Sequence, residues 1–278
     1  MSAFEPNTLQ IGDVVTRTWT PGTPDAALTA IARTPRLVVA LDFDGTASPF
    51  VLEPMSARAL PETVEQVERL SVLPDTVVAY VSGRSMDDLR VITEHGDESR
   101  VALAGSHGAQ YWYPGVGFSE PVPEARDGER DELWDAVRPV VARYEGAEFE
   151  PKTFGVGVHT RGASPDVEEA VFAEVDALVA ERFPHWRRRP GHHVLEFSSR
   201  AEGKDAAMAA LRAQFDATGI LFAGDDVTDE DAMRVLGEDD LGVRVGEGET
   251  AAVLRVGSPQ EIAPLLSVVA DIRGAARE

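Results

Sequence analysis

The chain has 278 residues, 43% of them hydrophobic, and a formal net charge of −22 from 48 acidic and 26 basic side chains. That length can bury one large domain or two smaller ones, and the excess negative charge argues against a nucleic-acid or anionic-membrane partner. No apolar run reaches bilayer-spanning length, the N-terminal stretch lacks the basic start and apolar centre of a signal peptide, and the absence of cysteine removes disulfides and thiolate zinc sites; the cytoplasm is the expected compartment.

Residues 1–30 are loop-rich and weakly patterned, and a peripheral arm is expected there. The first strong element is "LVVALDF" (37–43), an apolar strand that runs straight into Asp42 and Asp44. A helix follows at 61–72, with Pro61 near its start where a missing N–H does no harm. Then come a strand at 76–82, a helix at 85–95 and a strand at 101–105. From about 112 the pattern changes to helix–strand–strand, twice over. The first set is a helix at 128–145 with "AEFEP" and "FGVGVHT"; the second is a helix at 166–183 with "HWRRR" and "HHVLEFS". The alternating pattern then returns with a helix at 204–217, a strand at 220–224, a helix at 228–236, a strand at 241–245 and a helix at 259–271. The fold class is therefore α/β, a Rossmann-like parallel sheet formed by residues 1–111 and 200–278 and interrupted by an inserted α+β unit, residues 112–199.

In open parallel sheets ligands bind beyond the carboxyl ends of the strands. Asp42 and Asp44 lie there after one strand, Ser82, Gly83 and Arg84 after the next, and Asp225, Asp226 and Asp229 after "ILFAG". If these strands are neighbours, about five carboxylates meet in one small volume, which like charges cannot do without a cation. Mg²⁺ is the hard cation that carboxylate oxygens suit, and it would reverse the repulsion that a net charge of −22 presents to an anionic substrate. Taken singly, Asp-Gly is a common turn and Asp229 a plausible helix cap; the ordered set D-x-D-G-T, S-G-R, K, G-D-D-x-x-D is what marks a site. Only two basic residues are lysine, Lys152 and Lys204. Either each is kept where a compact ammonium is wanted, or both are survivors of a bias toward arginine. In the inserted unit, alternation puts Gly155, Gly157, His159 and Arg161 on one face and Val156, Val158 and Thr160 on the other. Arg187, Arg188 and Arg189 read as a solvated strand face, and nothing at metal-ligand spacing joins His192 and His193.

The motifs "LDFDGT", "VSGR" and "FAGDDVTDEDAM" resemble those of the haloacid dehalogenase (HAD) superfamily of phosphotransferases. From about Leu37 onward, "AGSHGAQ", "EPKTFGVGVHTR", "HVLEF" and "EGKDAAMAAL" make the chain similar to its trehalose-6-phosphate phosphatase branch. Ala47 stands where that family usually has leucine, and Gln110 where glutamate is frequent. The resemblance implies Mg²⁺-dependent hydrolysis of trehalose 6-phosphate through an aspartyl-phosphate, with a functional link to the synthase that makes this substrate. It implies Asp42 as nucleophile and Asp44 as acid and then base, its carbonyl also on the metal. Ser82 would bond the phosphoryl group and Lys204 neutralise it, with Arg84 beside them. Asp225 would ligate the ion directly, while Asp226 and Asp229 would hold its water shell or orient neighbours. Glu150, Lys152, Arg161 and Glu196 would surround the sugar under an inserted cap. His159 shares their face, although an isolated strand histidine is more often structural. A phosphatase for another sugar phosphate, a silent sugar-phosphate-binding regulator and a mutase-like transferase stay open as alternatives.

Overall fold

Two sheets carry the fold in the computed structural model, which describes residues 15–119, 127–191, 193–200 and 202–275. In chain order the first elements are β1 (Arg17–Thr18), α1 (Ala26–Ala32), β2 (Leu37–Leu41), α2 (Pro61–Ser71), β3 (Thr76–Val81), α3 (Met86–Ile92), β4 (Ala102–Gly105), β5 (Gln110–Tyr113) and β6 (Gly117–Ser119). The middle of the chain supplies α4 (Asp127–Val141), β7 (Glu148–Lys152), β8 (Gly155–His159), α5 (Pro165–Arg182), β9 (Arg187–Gly191) and β10 (Val194–Ser198). The remainder gives α6 (Lys204–Phe215), β11 (Gly219–Gly224), α7 (Asp229–Val235), β12 (Leu241–Val245), β13 (Leu254–Val256) and α8 (Ile262–Ala275). Among the described residues no helix is long and apolar enough to cross a membrane.

The larger sheet has the order β1-β13-β12-β11-β2-β3-β4-β5-β6, parallel as far as β4 and antiparallel beyond it. Its central strands are apolar on both faces because helices cover both. Val38 and Ala40 join Ala207, Met208 and Leu211 of α6 on one side, while Val39 and Leu41 join Val67 and Leu70 of α2 and Leu265 and Val269 of α8 on the other. Each such valine or leucine contributes about 1.5–3 kcal/mol by leaving water.

The smaller sheet is antiparallel, in the order β7-β8-β10-β9. One of its faces packs Val156, Val158, Leu195 and Phe197 against Leu133 and Val137 of α4 and Val171 and Val175 of α5. The other face turns to the strand ends of the larger sheet.

Three expectations need revision. Residues 15–30 are not peripheral: β1 pairs with β13, Trp19 and Leu28 are buried in the core, and α1 packs on α8; residues 1–14 lie outside the described part. The larger sheet also continues into β5, whose aromatic "QYWY" run is buried, and into the more exposed β6 at 117–119, beyond the expected boundary at 112. Finally, the arginine run is not one solvated face. Arg188 pairs with Asp176 of α5 on the helix side, but Arg187 pairs with Asp231 of α7 at 3.1 Å, and the buried Arg189 guanidinium donates to the carbonyls of Arg200 and Glu202. Arg187 therefore ties the small sheet to a helix of the large one, and Arg189 holds the connector that leads from β10 to α6. His193 pairs with Glu168, and His192 lies outside the described residues.

Candidate active site

Strands β11, β2 and β3 are neighbours in register, Ala223 beside Leu41 and Leu41 beside Tyr80, so the loops that follow them open at one edge of the sheet. The Asp42 N–H continues the ladder to the Ala223 carbonyl at 2.9 Å, and the Ser82 N–H donates to Ala104 at 2.9 Å. Both side chains are thereby fixed, and both are buried. The turn after Asp42 needs glycine: Gly45 has φ +87°, and a Cβ there would collide with the Asp225 carboxylate. Thr46, fully buried, donates its hydroxyl to Asp225 Oδ1 at 3.1 Å.

Lys204, the first residue of α6, lies between two carboxylates, its ammonium 2.6 Å from Asp42 Oδ1 and 2.6 Å from Asp229 Oδ1. The other Asp229 oxygen accepts the N–H groups of Asp225 and Asp226, both at 2.9 Å, so this fully buried side chain organises the β11–α7 turn. Oxygens of Asp42, Asp225 and Asp229 lie within 4.8 Å of one another, facing a single ammonium. The uncompensated charge shows in the proton affinities of Asp42 and Asp225. Burial and the Asp229 charge raise the Asp42 carboxyl, and push the Asp225 carboxyl up to about 7. Lys204 loses proton affinity through burial but gains more from Asp229 and Asp42, and stays charged. A cavity edge lined by hard oxygens with surplus negative charge fits a divalent cation such as Mg²⁺.

The acidic set expected at the metal is divided by the structure. Asp44 and Asp226 stand outside the three-carboxylate cluster. Asp44 takes a two-pronged bond from Arg84, at 2.6 and 2.7 Å, so the Arg84 guanidinium holds a carboxylate instead of standing free. The Asp226 side chain turns to the β9–β10 hairpin, where a Cβ on Gly191 would come 3.1 Å from its Oδ2.

On the small sheet, Glu150, Gly157, Glu196 and Arg189 form a row across β7, β8, β10 and β9. Glycine between two glutamates leaves room for the stem of Lys152, whose Cε would lie 3.1 Å from a Cβ at position 157. The Lys152 ammonium reaches Glu196 Oε1 at 2.7 Å and Glu150 Oε2 at 3.1 Å. His159 Nε2 is 2.6 Å from the same Glu150 oxygen, and His107 Nε2 is 2.9 Å from Glu196 Oε2. Burial alone would raise the Glu150 carboxyl, but Lys152 and His159 hold it down at about 2; Glu196 is depressed further by Lys152 and His107 against the same burial. Burial keeps His107 below the usual imidazole range. Arg161, past the end of β8, lies over the Phe50 ring at 5.3 Å and donates to the Val51 carbonyl at 3.4 Å, bridging the small sheet to the loop after β2.

A cavity of about 660 Å³ separates the two groups. Asp42, Asp44, Ser82, Arg84, Lys204 and Asp226 line one side, and Glu150, Lys152, His159, Arg161 and Glu196 the other. Its volume falls in the range of small-molecule sites. Each of the chain's two lysines thus bridges a pair of carboxylates in this one cavity, which decides between placement and bias. His107 and Phe50 also line it. Neither carried a role in the sequence reading, and the signal for His107 is structural: Ser106 and His107 both adopt left-handed backbone, at φ 50° and 56°. Of the two family departures, Ala47 is fully buried, and Gln110 Oε1 accepts from Met86 N–H at 3.1 Å and Ser106 Oγ at 2.9 Å, work a glutamate oxygen would also do.

A parallel sheet with aspartates after the β2 strand, a serine after β3, and a lysine and further aspartates after the α+β unit is the arrangement of the HAD fold, which solved structures share with this chain. The trehalose-phosphatase family model matches residues 40–256, and the chain belongs to that family. It is 27% identical over 231 residues to the trehalose-6-phosphate phosphatase of Escherichia coli K12, covering 82% of this chain and 84% of that one. It is 29% identical over 242 residues to the bifunctional trehalose-6-phosphate synthase/phosphatase of Thermoproteus tenax, covering 84% of this chain and 32% of that protein. Among solved structures, the C-terminal domain of C. albicans trehalose-6-phosphate phosphatase superposes with a TM-score of 0.76 at 18% identity, covering 92% of this chain and 99% of that one.

Proposed function

We propose that this phosphatase hydrolyses trehalose 6-phosphate to trehalose and phosphate, with the small sheet as a specificity cap over a catalytic core. The observation that carries the reading is the facing pair of lysine-centred clusters in one cavity, one suited to a phosphoryl group and the other to sugar hydroxyls. An Asp42 carboxylate oxygen attacks phosphorus, the bond from phosphorus to the sugar oxygen breaks, and an aspartyl-phosphate forms. Asp44, aimed by Arg84, protonates the departing sugar oxygen and then takes a proton from the water that cleaves the aspartyl-phosphate. Ser82 hydroxyl and Lys204 ammonium bond the phosphoryl oxygens as charge builds on them. Asp42 and Asp225, with the Asp44 carbonyl, would hold Mg²⁺, which supplies positive charge beside the phosphoryl group; Asp229 orients this set and Asp226 lies toward the cap hairpin. Glu150, Lys152, His159 and Glu196 accept from and donate to sugar hydroxyls, and Arg161 anchors the cap to the loop after β2. Cap closure excludes bulk water. The bifunctional relative supports a functional link to the synthase that makes this substrate, and the cytoplasm is the compartment where both would work.

The test is phosphate release from a panel of sugar phosphates, with Mg²⁺ and with chelator, beside Asp42→Asn. Trehalose 6-phosphate should stand well above glucose 6-phosphate and sucrose 6-phosphate, with release abolished by chelator and by the substitution. Preference for another ester would discard this account of the cap. Tight binding without release would make the chain a silent regulator.

A further inference from the structure

We propose that His107 is a positioning residue that sets Glu196 against Lys152 and thereby links sugar reading on the small sheet to the phosphate-binding loop of the large one. The proposal rests on the assignment of Glu196 and Lys152 to the sugar. His107 lies between β4 and β5 of the large sheet, and Glu196 on β10 of the small one, so their 2.9 Å contact crosses from one sheet to the other. Glu196 gives one oxygen to Lys152 and the other to His107. Without the imidazole, one oxygen of this half-buried carboxylate would lack its partner, and Lys152 alone would hold it.

The other end of His107 is tied to the loop that carries Ser82. Its N–H donates to the Ser82 carbonyl at 2.9 Å, and the neighbouring Ser106 N–H donates to the Arg84 carbonyl at 2.6 Å. The ring lies on Gly83, where a Cβ would come within 2.6 Å of its Cε1 and Nε2. Holding the ring there takes two consecutive non-glycine residues in left-handed backbone, a conformation kept where the surroundings over-determine it. With Nε2–H given to the carboxylate, the neutral ring leaves Nδ1 as an acceptor that is buried and has no partner among the described residues. A histidine serving only its own turn would bond within it; this one spends its single ring N–H on the opposite sheet.

The test uses the full chain with Mg²⁺. Wild-type protein is first assayed on the sugar-phosphate panel, and the preferred ester is compared with p-nitrophenyl phosphate, which has a phosphoryl group but no sugar. His107→Ala should lower kcat/KM for the sugar ester at least tenfold more than for p-nitrophenyl phosphate, mainly through KM. His107→Gln, whose amide N–H can reach the carboxylate, should recover most of the loss. In a double-mutant cycle, His107→Ala with Glu196→Ala should lose no more than Glu196→Ala alone. Equal losses on both esters, no rescue by glutamine, or additive losses would overturn the proposal. Thermal unfolding accompanies each variant; should alanine fail to fold, His107→Asn, which tolerates left-handed backbone but is too short for Glu196, replaces it in the cycle. If wild-type protein prefers another ester, the trehalose reading falls while the His107 comparison proceeds on that ester. If it binds a sugar phosphate without cleaving it, the cycle is read in Kd.

Discussion

Alanine at position 157 would set a Cβ 2.8 Å from Glu150 Oε2 and 3.1 Å from Lys152 Cε. Carbon contacts settle near ~3.5–4.0 Å, so both groups must retreat by about 0.5–1 Å. They are the far ends of flexible side chains, and the strand keeps its register; stability should change by less than about 1 kcal/mol. The Lys152 ammonium, however, leaves its place between Glu196 at 2.7 Å and Glu150 at 3.1 Å. A hydrogen bond to a charged group is worth about 1.5–3 kcal/mol, which predicts a loss in kcat/KM of roughly ten- to a hundredfold on trehalose 6-phosphate, carried by KM. Gly155→Ala, two residues away on the same strand, should behave differently. Its Cβ would fall on the Phe197 carbonyl of β10, and backbone cannot yield as a side chain does. A cost near ~3 kcal/mol, or roughly 6–12 °C in Tm, is expected there. Steady-state kinetics and thermal unfolding of both variants check the pair. Wild-type KM in Gly157→Ala, or an unshifted Tm in Gly155→Ala, would refute the packing argument.

Lys204→Met strips Asp42 and Asp229 of their shared ammonium in a buried site and should cost about 3–5 kcal/mol in urea unfolding as well as all turnover; a cost below about 1 kcal/mol would contradict that pairing. Thr46→Val removes the hydroxyl that helps keep Asp225 ionised, so half-maximal activity at neutral pH should need roughly tenfold more Mg²⁺, read by metal titration of phosphate release. Acid should unfold the protein partly through the cap. Glu150 at about 2 and Glu196, also depressed, lie below the ordinary 4.5, so the unfolded chain binds protons first and the stability they contribute is lost as pH falls from 4.5 toward 2. His107, held below 6.5, acts in the same direction from a higher pH. Lys152→Met should flatten this slope in pH-dependent urea unfolding, and identical slopes would show that the lysine does not set it.

The parallel core was legible because strands buried on both faces read as unbroken apolar runs, "LVVAL" and "ILFAG" above all, and because Asp42 and Asp225 stand at their ends. The face of β8 was legible from alternation, with Val156 and Val158 buried against the cap helices, His159 turned to the cavity and Gly157 on the same face beneath Glu150 and Lys152. What escaped depends on partners distant in sequence. β1 is two residues long and exists only because β13 offers it an edge, and β5 is aromatic and antiparallel, outside the alternating pattern. Asp44 reads as one more acidic residue until Arg84, 40 residues on, closes around it. His107 has no periodicity to betray it; its place follows from a turn whose partners are Ser82 on one side and Glu196 on the other.

Both lysines of the chain are committed to the cavity, Lys204 with 3% and Lys152 with 19% of its side chain exposed. The outer surface therefore carries no lysine amine, and its basic side chains are arginine and histidine. Acylating labels, aldehyde fixatives and lysine-specific proteases find almost nothing to attack on the folded protein. Rapid native modification at Lys152 would instead count openings of the cap, and modification at Lys204 would count openings of the core, so ordinary amine chemistry becomes a two-channel clock for motions around one cavity.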